Sequence, residues 1–365
     1  MTRLISAQQL VLICTAGISL PSVATTPPTW KTECVGRTQF SLPVEVEVAG
    51  LPFENFAAAI EGGSRSSGAQ FIDGQWADYS RVSYLVGLIL VSNELNDTQI
   101  SELRARFSKQ PEVDRKYLKE RSAPSSGETN VTDVHDDMRQ LLSWTSGANI
   151  LYLQRIRNHL VTAEVSSRDQ QIEESTQIFK TLTQHTIYRD LFTVPAGSGV
   201  CLPFAFVKDR GVEPRSITTT YRLKAHPDVT IIVQDASAPA LGKSNRRVVP
   251  PDEEIDNFWS QYEISRTGRK VTSHWKVNAK RSVQIDGRKA IASFVDIVRK
   301  DNSKDIGYFA TVPGNSTPKA DTPKITLAVI REANHARAKG VQPIDEKAFL
   351  DLVERIVLSI SKRPH

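Results

Sequence analysis

The sequence predicts an α+β fold of two domains, each a mostly antiparallel sheet covered by helices. Segments in which apolar and polar residues alternate are separated by turn signals such as Asp286-Gly287, which favours a tight antiparallel hairpin. Each half of the chain ends in a long amphipathic helix. The segment 195–199 combines proline and glycine where the periodicity stops, so we predict an N-terminal domain over 30–194 and a C-terminal domain over 195–365.

The first half is predicted to contain strands and helices, recognised by periods of two and of three to four residues. In chain order they are a half-buried strand over 38–48, a short strand at 70–72, a buried strand over 84–91, a helix from Asp97 or Thr98 to Phe107, a hairpin of 149–156 and 159–165, and a helix over 168–188 that turns Ile172, Phe179, Leu182 and Thr186 inward. Residues 109–133 are polar and include Pro124-Ser125-Ser126-Gly127, so we predict a mobile surface loop there.

The second half is predicted to be an antiparallel α+β unit. Its elements are a hairpin of 216–223 and 229–234, a helix over 252–264, four strands over 281–285, 289–298, 306–312 and 324–330, and a final helix that begins at Asp345. In that helix Phe349, Val353, Ile356 and Ile360 form one apolar stripe, which should cover one face of the sheet.

The N-terminus has the pattern of a secretory signal peptide. Arg3 precedes an apolar stretch over 4–20, and Pro21 is followed by Ser22-Val23-Ala24, whose small side chains favour cleavage after Ala24. A membrane anchor is the alternative, but the purely apolar part, 10–20, is shorter than the roughly 20 residues that cross a bilayer. We therefore predict a signal peptide over 1–24, and export to the periplasm of a mature chain without an integral membrane segment.

Composition and charge are those of a globular protein. With 39% hydrophobic and 24% charged residues, wholesale disorder is excluded. The net charge of +5 comes from 46 basic residues scattered among 41 acidic ones, and export further argues against a nucleic-acid partner. About 340 mature residues exceed what a single core usually serves, which also favours two domains.

Loss of Cys14 with the signal peptide would leave two cysteines, Cys34 and Cys201. In an oxidising compartment they predict one disulfide, and two buried free thiols are the alternative.

The sequence contains no motif that predicts catalysis or a bound cofactor. A Gly-x-Ser-x-Gly elbow is missing, and Gly197-Ser198-Gly199 is better explained as a domain linker. The seven histidines show no paired ligand spacing, so we predict no metal and no cofactor. His135-Asp136-Asp137 could in principle serve acid–base or metal chemistry, but it is more typical of the solvated start of an element. We therefore predict a binding protein rather than an enzyme.

Three segments resemble the Tle cognate immunity protein 4 family. They are Cys34-Val35-Gly36-Arg37 followed by Phe40-Ser41-Leu42-Pro43, the mid-chain Gly199-Val200-Cys201, and the ending Ile356-Val357-Leu358-Ser359-Ile360-Ser361-Lys362-Arg363-Pro364. The family consists of periplasmic antidotes to lipase effectors of the type VI secretion system. The resemblance implies a claw-like, two-domain protein that grips a cognate phospholipase effector and prevents its active site from opening to substrate. The residues that would bind this partner are unknown at this stage.

Two other functions remain open from sequence. One is a periplasmic ligand-binding or envelope-assembly protein with no toxin partner. The other is an enzyme of unrecognised type, because catalytic groups can be assembled from distant segments.

Overall fold

The computed structural model describes residues 29–62, 68–77, 79–85, 87–121, 130–137, 141–166, 171–237, 249–267, 272–274, 280–299, 304–314 and 322–364. The predicted signal peptide over 1–24, with Cys14, lies outside the described residues. Within the described part of the chain, no helix has the length and apolar character needed to cross a membrane.

The chain forms seven helices and twenty strands in the described ranges. The helices are α1 (Phe53–Ile60), α2 (Asp97–Ser108), α3 (Gln110–Arg121), α4 (Ile172–His185), α5 (Pro251–Thr267), α6 (Ala333–Ala338) and α7 (Glu346–Ser359). The strands are β1 (Trp30–Val35), β2 (Thr38–Pro43), β3 (Val46–Val48), β4 (Arg81–Tyr84), β5 (Gly87–Val91), β6 (His135–Asp136), β7 (Leu141–Ser146), β8 (Asn149–Ile156), β9 (His159–Val165), β10 (Thr186–Tyr188), β11 (Gly199–Leu202), β12 (Ala205–Lys208), β13 (Arg215–Leu223), β14 (Val229–Ala236), β15 (Thr272–His274), β16 (Arg281–Ile285), β17 (Arg288–Val298), β18 (Lys304–Val312), β19 (Lys324–Arg331) and β20 (Ser361–Lys362).

One antiparallel sheet runs through both halves of the chain. Its strand order is β15-β17-β18-β19-β14-β13-β4-β5-β9-β8-β7-β6, with β16 paired to β17 and β3 paired to β13. Strand β13 joins the halves, because residues 215–218 pair with β4 while residues 221–223 pair with β3. The α+β class with mostly antiparallel strands is confirmed, and the domain boundary within 195–199 stays a prediction.

The two faces of this sheet are covered by different helices, because side chains alternate between faces along each strand. Ile231 and Val329 belong to the core beneath α4 and α7, whereas their neighbours Ile232 and Ile330 pack with Trp259 of α5. A further core on this second face gathers residues of α1 and α2 against β5 and β7–β9. The first face is thus closed by α4 and α7, and the second face by α1 and α2 at one end and α5 at the other.

Most predicted elements are present, and the departures have local causes. The strand predicted over 38–48 is divided at Pro43, after which β3 pairs with β13 instead of β1. The helix predicted over 168–188 spans only Ile172–His185, and Ile172 is one-third exposed rather than inward. Asn96 caps α2 through a reciprocal capping box with Gln99, one residue before the predicted start.

The largest difference lies in the segment predicted as a loop. Helix α3 occupies Gln110–Arg121, the first half of the polar stretch 109–133. Its Lys, Glu, Arg and Leu residues have high helix propensity. Polarity alone does not distinguish such a polar helix from a surface loop. The Ser146 hydroxyl donates to Asp114 at 2.6 Å, and Arg115 donates to the carbonyl of Val131 at 3.3 Å, so the helix is fastened to β7 and to residue 131.

A disulfide joins the beginning of the chain to its middle. Cys34 in β1 and Cys201 in β11 are both fully buried and bonded to each other, with their Cα atoms 5.8 Å apart. Beside the bridge, Gly36 and Cys201 exchange two backbone hydrogen bonds of 2.8 Å. Gly36 has φ +58°, and a Cβ there would lie 2.6 Å from Asp235, so both conformation and space require glycine.

Buried charges fix the same junction. The carboxylate of Asp235 in β14 accepts from the Arg37 backbone N–H at 3.0 Å, from the Thr38 hydroxyl at 2.8 Å and from the Arg215 guanidinium. The Arg37 guanidinium in turn pairs with Asp209 at 2.8 Å and with Glu213 at 3.3 Å. Because each of these side chains is at least 94% buried, the first strands cannot leave the second half without exposing unpaired charge.

The chain terminus closes this arrangement. Arg363 donates to the carbonyls of Gly197 at 2.9 Å and Gly199 at 2.7 Å, while its backbone N–H donates to the carbonyl of Arg37 at 2.8 Å. The segment 195–199, predicted as a linker, is therefore held by the C-terminal tail.

We predict that the double substitution Cys34→Ser, Cys201→Ser lowers the free energy of unfolding by about 2–5 kcal/mol, because the bridge closes a long loop in the unfolded chain. Urea unfolding followed by circular dichroism measures the change. Adding a thiol reductant should destabilise the native protein but not the variant; equal midpoints for the oxidised native protein and the variant would contradict the prediction.

Asp235→Asn is expected to lower the free energy of unfolding by about 3–5 kcal/mol, since it leaves Arg215 buried without its carboxylate. Thermal and urea unfolding report the loss. The matched control is Asp351→Asn, which removes the exposed pair between Lys347 and Asp351 on α7 and should leave the midpoint near that of the native protein. Similar midpoints for both variants would show that the Asp235 cluster does not hold the junction.

Candidate functional site

The middle of the second sheet face lies between the two helical covers and is polar. On β13 the side chains of Ile217 and Tyr221 belong to the core of the first face, so alternation places Thr218, Thr220 and Arg222 on the second. Gln234 of β14 donates to the Thr218 hydroxyl at 3.2 Å across this strip. We call the second-face side chains of β13 and β14 between α1–α2 and α5 the central strip.

A short loop, residues 68–77, lies at one end of the central strip. Its base is pinned to residue 50 by two backbone hydrogen bonds, from Gln70 to the Gly50 carbonyl at 2.8 Å and from Gly50 to the Gln70 carbonyl at 3.2 Å. Ala77 donates to the carbonyl of Ala69 at 2.9 Å and closes the loop. Phe71 is buried among small residues and lies under the Arg222 guanidinium, 4.4 Å from its ring centroid.

Charged side chains attach this loop to the second half of the chain. Asp73 pairs with Arg222 at 2.9 Å and with Lys339, and Gln75 contacts His335 of α6 at 2.9 Å. Burial raises the pKa of the Asp73 carboxyl, but the hydrogen bonds from Lys339 and Arg222 outweigh it and hold the pKa well below its usual range. The loop is therefore charged and fixed at neutral pH.

The loop exposes two large apolar side chains, Ile72 at its turn and Trp76 opposite Gln70. Ile72 is 86% exposed and Trp76 is 48% exposed, while Phe71 of the same loop is buried. Residues 70–72 were predicted to form a strand; instead the Gly74 N–H donates to the Phe71 carbonyl and turns the chain back. The sequence signal that was missed is Asp73-Gly74, a turn dipeptide inside an apolar segment.

A depression opens where the loop meets β4 and β5. It is lined mainly by apolar residues and glycines, together with Ser80, Arg81 and Thr218; the others are Ala49, Gly50, Leu51, Gly68, Ala69, Val82, Leu88, Ile89, Leu90, Val91 and Pro203. This lining holds no histidine or carboxylate that could act as a general base.

The residues singled out from sequence for chemistry are placed apart from the central strip. His135 and Asp136 form the edge strand β6, where both are exposed, and Asp136 pairs with Arg104 at 3.1 Å. Asp137 accepts from the backbone N–H of Leu141 at 3.2 Å. The cluster therefore lies at a solvent-exposed edge of the sheet. Ser198 lies in the segment bound by Arg363, and Cys34 and Cys201 are joined in the disulfide.

Among the described residues, no three His, Cys, Asp or Glu side chains converge as they would around a metal ion. Among the histidines whose side chains the structure describes, His159 has the most restricted environment. It is 5% exposed, stacks on Phe204 at 4.2 Å between ring centroids, and contacts the Ser92 carbonyl through Nδ1 at 3.1 Å. Burial lowers its pKa, against the opposing effects of the Ser92 carbonyl and the carboxylate of Glu94.

This environment predicts an acid-sensitive contribution to stability. The pKa of His159 is lower in the folded than in the unfolded chain. The contribution of neutral His159 to the free energy of unfolding is therefore complete above the ordinary histidine pKa, and it is lost as pH falls through the pKa of the folded chain. We expect the free energy of unfolding to fall between pH 7 and pH 5, and to fall less in His159→Phe. Urea unfolding at both pH values tests this; an identical pH dependence in the two proteins would contradict it.

Comparison with known proteins places the C-terminal part in a family. Residues 193–365 match the Tle cognate immunity protein 4 C-terminal domain. A comparison with curated protein sequences gives no match.

Solved structures share the fold over most of the chain. The apo structure of immunity protein TplEi of the T6SS from Pseudomonas aeruginosa superposes with a TM-score of 0.55 at 15% identity, covering 92% of this chain and 97% of that one. The same protein complexed with the "L" peptide gives 0.53 at 16% identity, with 92% and 99% covered. A chain of the crystal structure of the Tle4–Tli4 complex gives 0.56 at 14% identity, with 92% and 98% covered.

The match begins at residue 193, just before the predicted boundary, and includes two of the three segments on which the family resemblance was based. The resemblance is thereby confirmed for the second half of the chain: residues 193–365 match the C-terminal domain of the Tle cognate immunity protein 4 family.

Proposed function

We propose that this protein is an immunity protein that binds a cognate type VI secretion lipase effector and neutralises it by occluding the active site. The observation that carries the proposal is the match of residues 193–365 to a domain of cognate immunity proteins. The shared fold with TplEi and with a chain of the Tle4–Tli4 complex supports the same function over nearly the whole chain.

The geometry suits a protein that binds its partner through a rigid surface. The two halves share one sheet and are locked by the disulfide and the Asp235 cluster, so a partner meets a preformed surface. Preformed surfaces lose little conformational entropy on binding, which favours high affinity. Neutralising a toxin requires nanomolar affinity or better, equivalent to about 12 kcal/mol, and an interface of standard size reaches this value.

The proposed location is the periplasm, reached through the predicted signal peptide. A lipase effector that attacks phospholipid from the periplasmic side would meet its antidote there. The disulfide supports this location, because such bonds persist in oxidising compartments.

The test combines residues 25–365, purified from the periplasm, with each lipase effector of the same strain. We expect a one-to-one complex by size-exclusion chromatography with light scattering, no hydrolysis by the isolated protein, and loss of effector activity on phospholipid vesicles. A water-soluble short-chain ester is the second substrate. Occlusion of the active site abolishes both activities, whereas a block of membrane binding alone would leave ester hydrolysis intact.

Two results would contradict the proposal. Hydrolase activity of the isolated protein would assign it to the enzymes. Free partners and undiminished hydrolysis with every lipase effector of the strain would favour an envelope protein with no toxin partner.

A further inference from the structure

Arg81 in β4 differs from the other arginines of the chain. Of the arginines whose side chains the structure describes, it is the one whose guanidinium forms no ion pair, hydrogen bond or ring contact. By contrast, Arg37 and Arg215 pair with buried carboxylates, and the more exposed Arg155 pairs with Asp97 at 2.7 Å. The Arg81 side chain is exposed and, as an arginine, permanently charged, so it is available to an anion from outside the chain.

The sheet places Arg81 beside the central strip. In β4 the side chains of Val82 and Tyr84 belong to the core of the first face, so alternation puts Arg81 on the second face. It stands directly opposite Thr218 of β13, whose hydroxyl accepts from Gln234 of β14 at 3.2 Å. These neighbours across the strip are neutral, and they do not supply the negative charge that Arg81 lacks.

Arg81 also lines the depression between the loop 68–77 and the strands β4 and β5. Apart from Arg81, Ser80 and Thr218, the lining consists of apolar residues and glycines. When a partner covers such a surface, water is excluded from the charge, and its attraction to an opposite charge becomes stronger. Arginine is enriched among the residues that dominate binding energy, because its planar guanidinium can hold a carboxylate through two parallel hydrogen bonds.

The backbone around Arg81 is fixed before any partner binds. The Ser80 N–H donates to the carbonyl of Ala77 at 3.1 Å, and the Ser80 hydroxyl accepts from the Thr220 N–H at 3.1 Å. Residues 215–218 of β13 pair with the whole of β4. Binding through Arg81 therefore orders one side chain rather than a segment of the chain, which lowers the entropic cost.

From these observations we infer that Arg81 binds a carboxylate side chain on the folded surface of the lipase effector, with the apolar lining of the depression packed around the pair. This inference rests on the proposed function. The partner surface that fits is an aspartate or glutamate flanked by apolar side chains. Arg81 then helps to select the effector, because a neutral or basic residue at that point would leave the guanidinium covered and unpaired.

The experiment measures binding of the effector by isothermal titration calorimetry to the native protein and to three variants. Arg81→Ala removes the guanidinium, and Arg81→Lys keeps the charge but loses the two parallel hydrogen bonds. Lys180→Ala is the matched control, because Lys180 is an exposed cation without a described ion pair but lies on α4 at the first face. Circular dichroism and melting temperature establish that each variant is folded.

We expect the dissociation constant to rise about 30-fold or more for Arg81→Ala and less for Arg81→Lys, with no change for Lys180→Ala.

A chemical crosslink identifies the group that Arg81 contacts. A water-soluble carbodiimide joins a lysine amine to a carboxylate that touches it, so the Arg81→Lys variant should become linked to one aspartate or glutamate of the effector, located by mass spectrometry. Lys180 in the same sample should form no link. Replacing the linked effector residue by arginine should weaken binding to the native protein and strengthen binding to Arg81→Glu.

The opposite results overturn the inference. Unchanged affinity of the folded Arg81→Ala variant would refute a role for Arg81 and leave the immunity function intact, and a missing crosslink would refute a carboxylate partner. If Arg81→Ala instead weakened binding to vesicles that contain phosphatidylglycerol, with effector affinity unchanged, the partner of Arg81 would be an anionic membrane. Failure of the native protein to bind any effector would refute the proposed function and this inference together.

Discussion

The buried carboxylate of Asp235 in β14 holds the two halves of the chain together. It receives a backbone N–H from Arg37, a hydroxyl from Thr38 and the guanidinium of Arg215, so it joins the first hairpin of the chain to the central strands of the second half. A buried carboxylate must be both paired with a cation and hydrogen-bonded. Arg215 supplies the opposite charge, and Arg37 and Thr38 supply further hydrogen bonds. Gly36 is required at the adjacent position because any side chain there would strike Asp235.

Once this junction is closed, the sheet cannot divide into independent units. Strand β13 is shared by β3 and β4 from the first half and by β14 from the second, so movement of one half against the other would break strand pairing. The two faces of this continuous sheet are covered differently. One is closed by α4 and α7, whereas the other leaves the polar central strip between its two helical covers, with the loop 68–77 at its end.

Periodicity located the hairpin of β8 and β9, the hairpin of β13 and β14, the strands β16 to β19 and the capped start of α7 within about two residues. These elements are amphipathic and bounded by turn residues, so local physics decides them. The periodicity did not predict α3, because this helix has too few apolar residues on one face to form a recognisable stripe. It also gave a strand over residues 70–72, where the structure has a turn and a buried Phe71. The exposure of Ile72 could not be predicted from its residue type, because isoleucine is among the residues most often fully buried.

The α+β class, the two available cysteines, the lack of recognised catalytic motifs and the family resemblance could all be predicted before the structure was known, because residue types and short spacings carry them. Three findings came from the folded chain alone: the halves share one sheet, Asp235 closes their junction, and Ile72 and Trp76 are exposed beside the central strip. Those facts depend on contacts between residues more than a hundred positions apart, such as Arg37 with Asp235 and Asp73 with Lys339. Local patterns contain no information about which distant charges and strands will meet, and packing of the whole chain settles it.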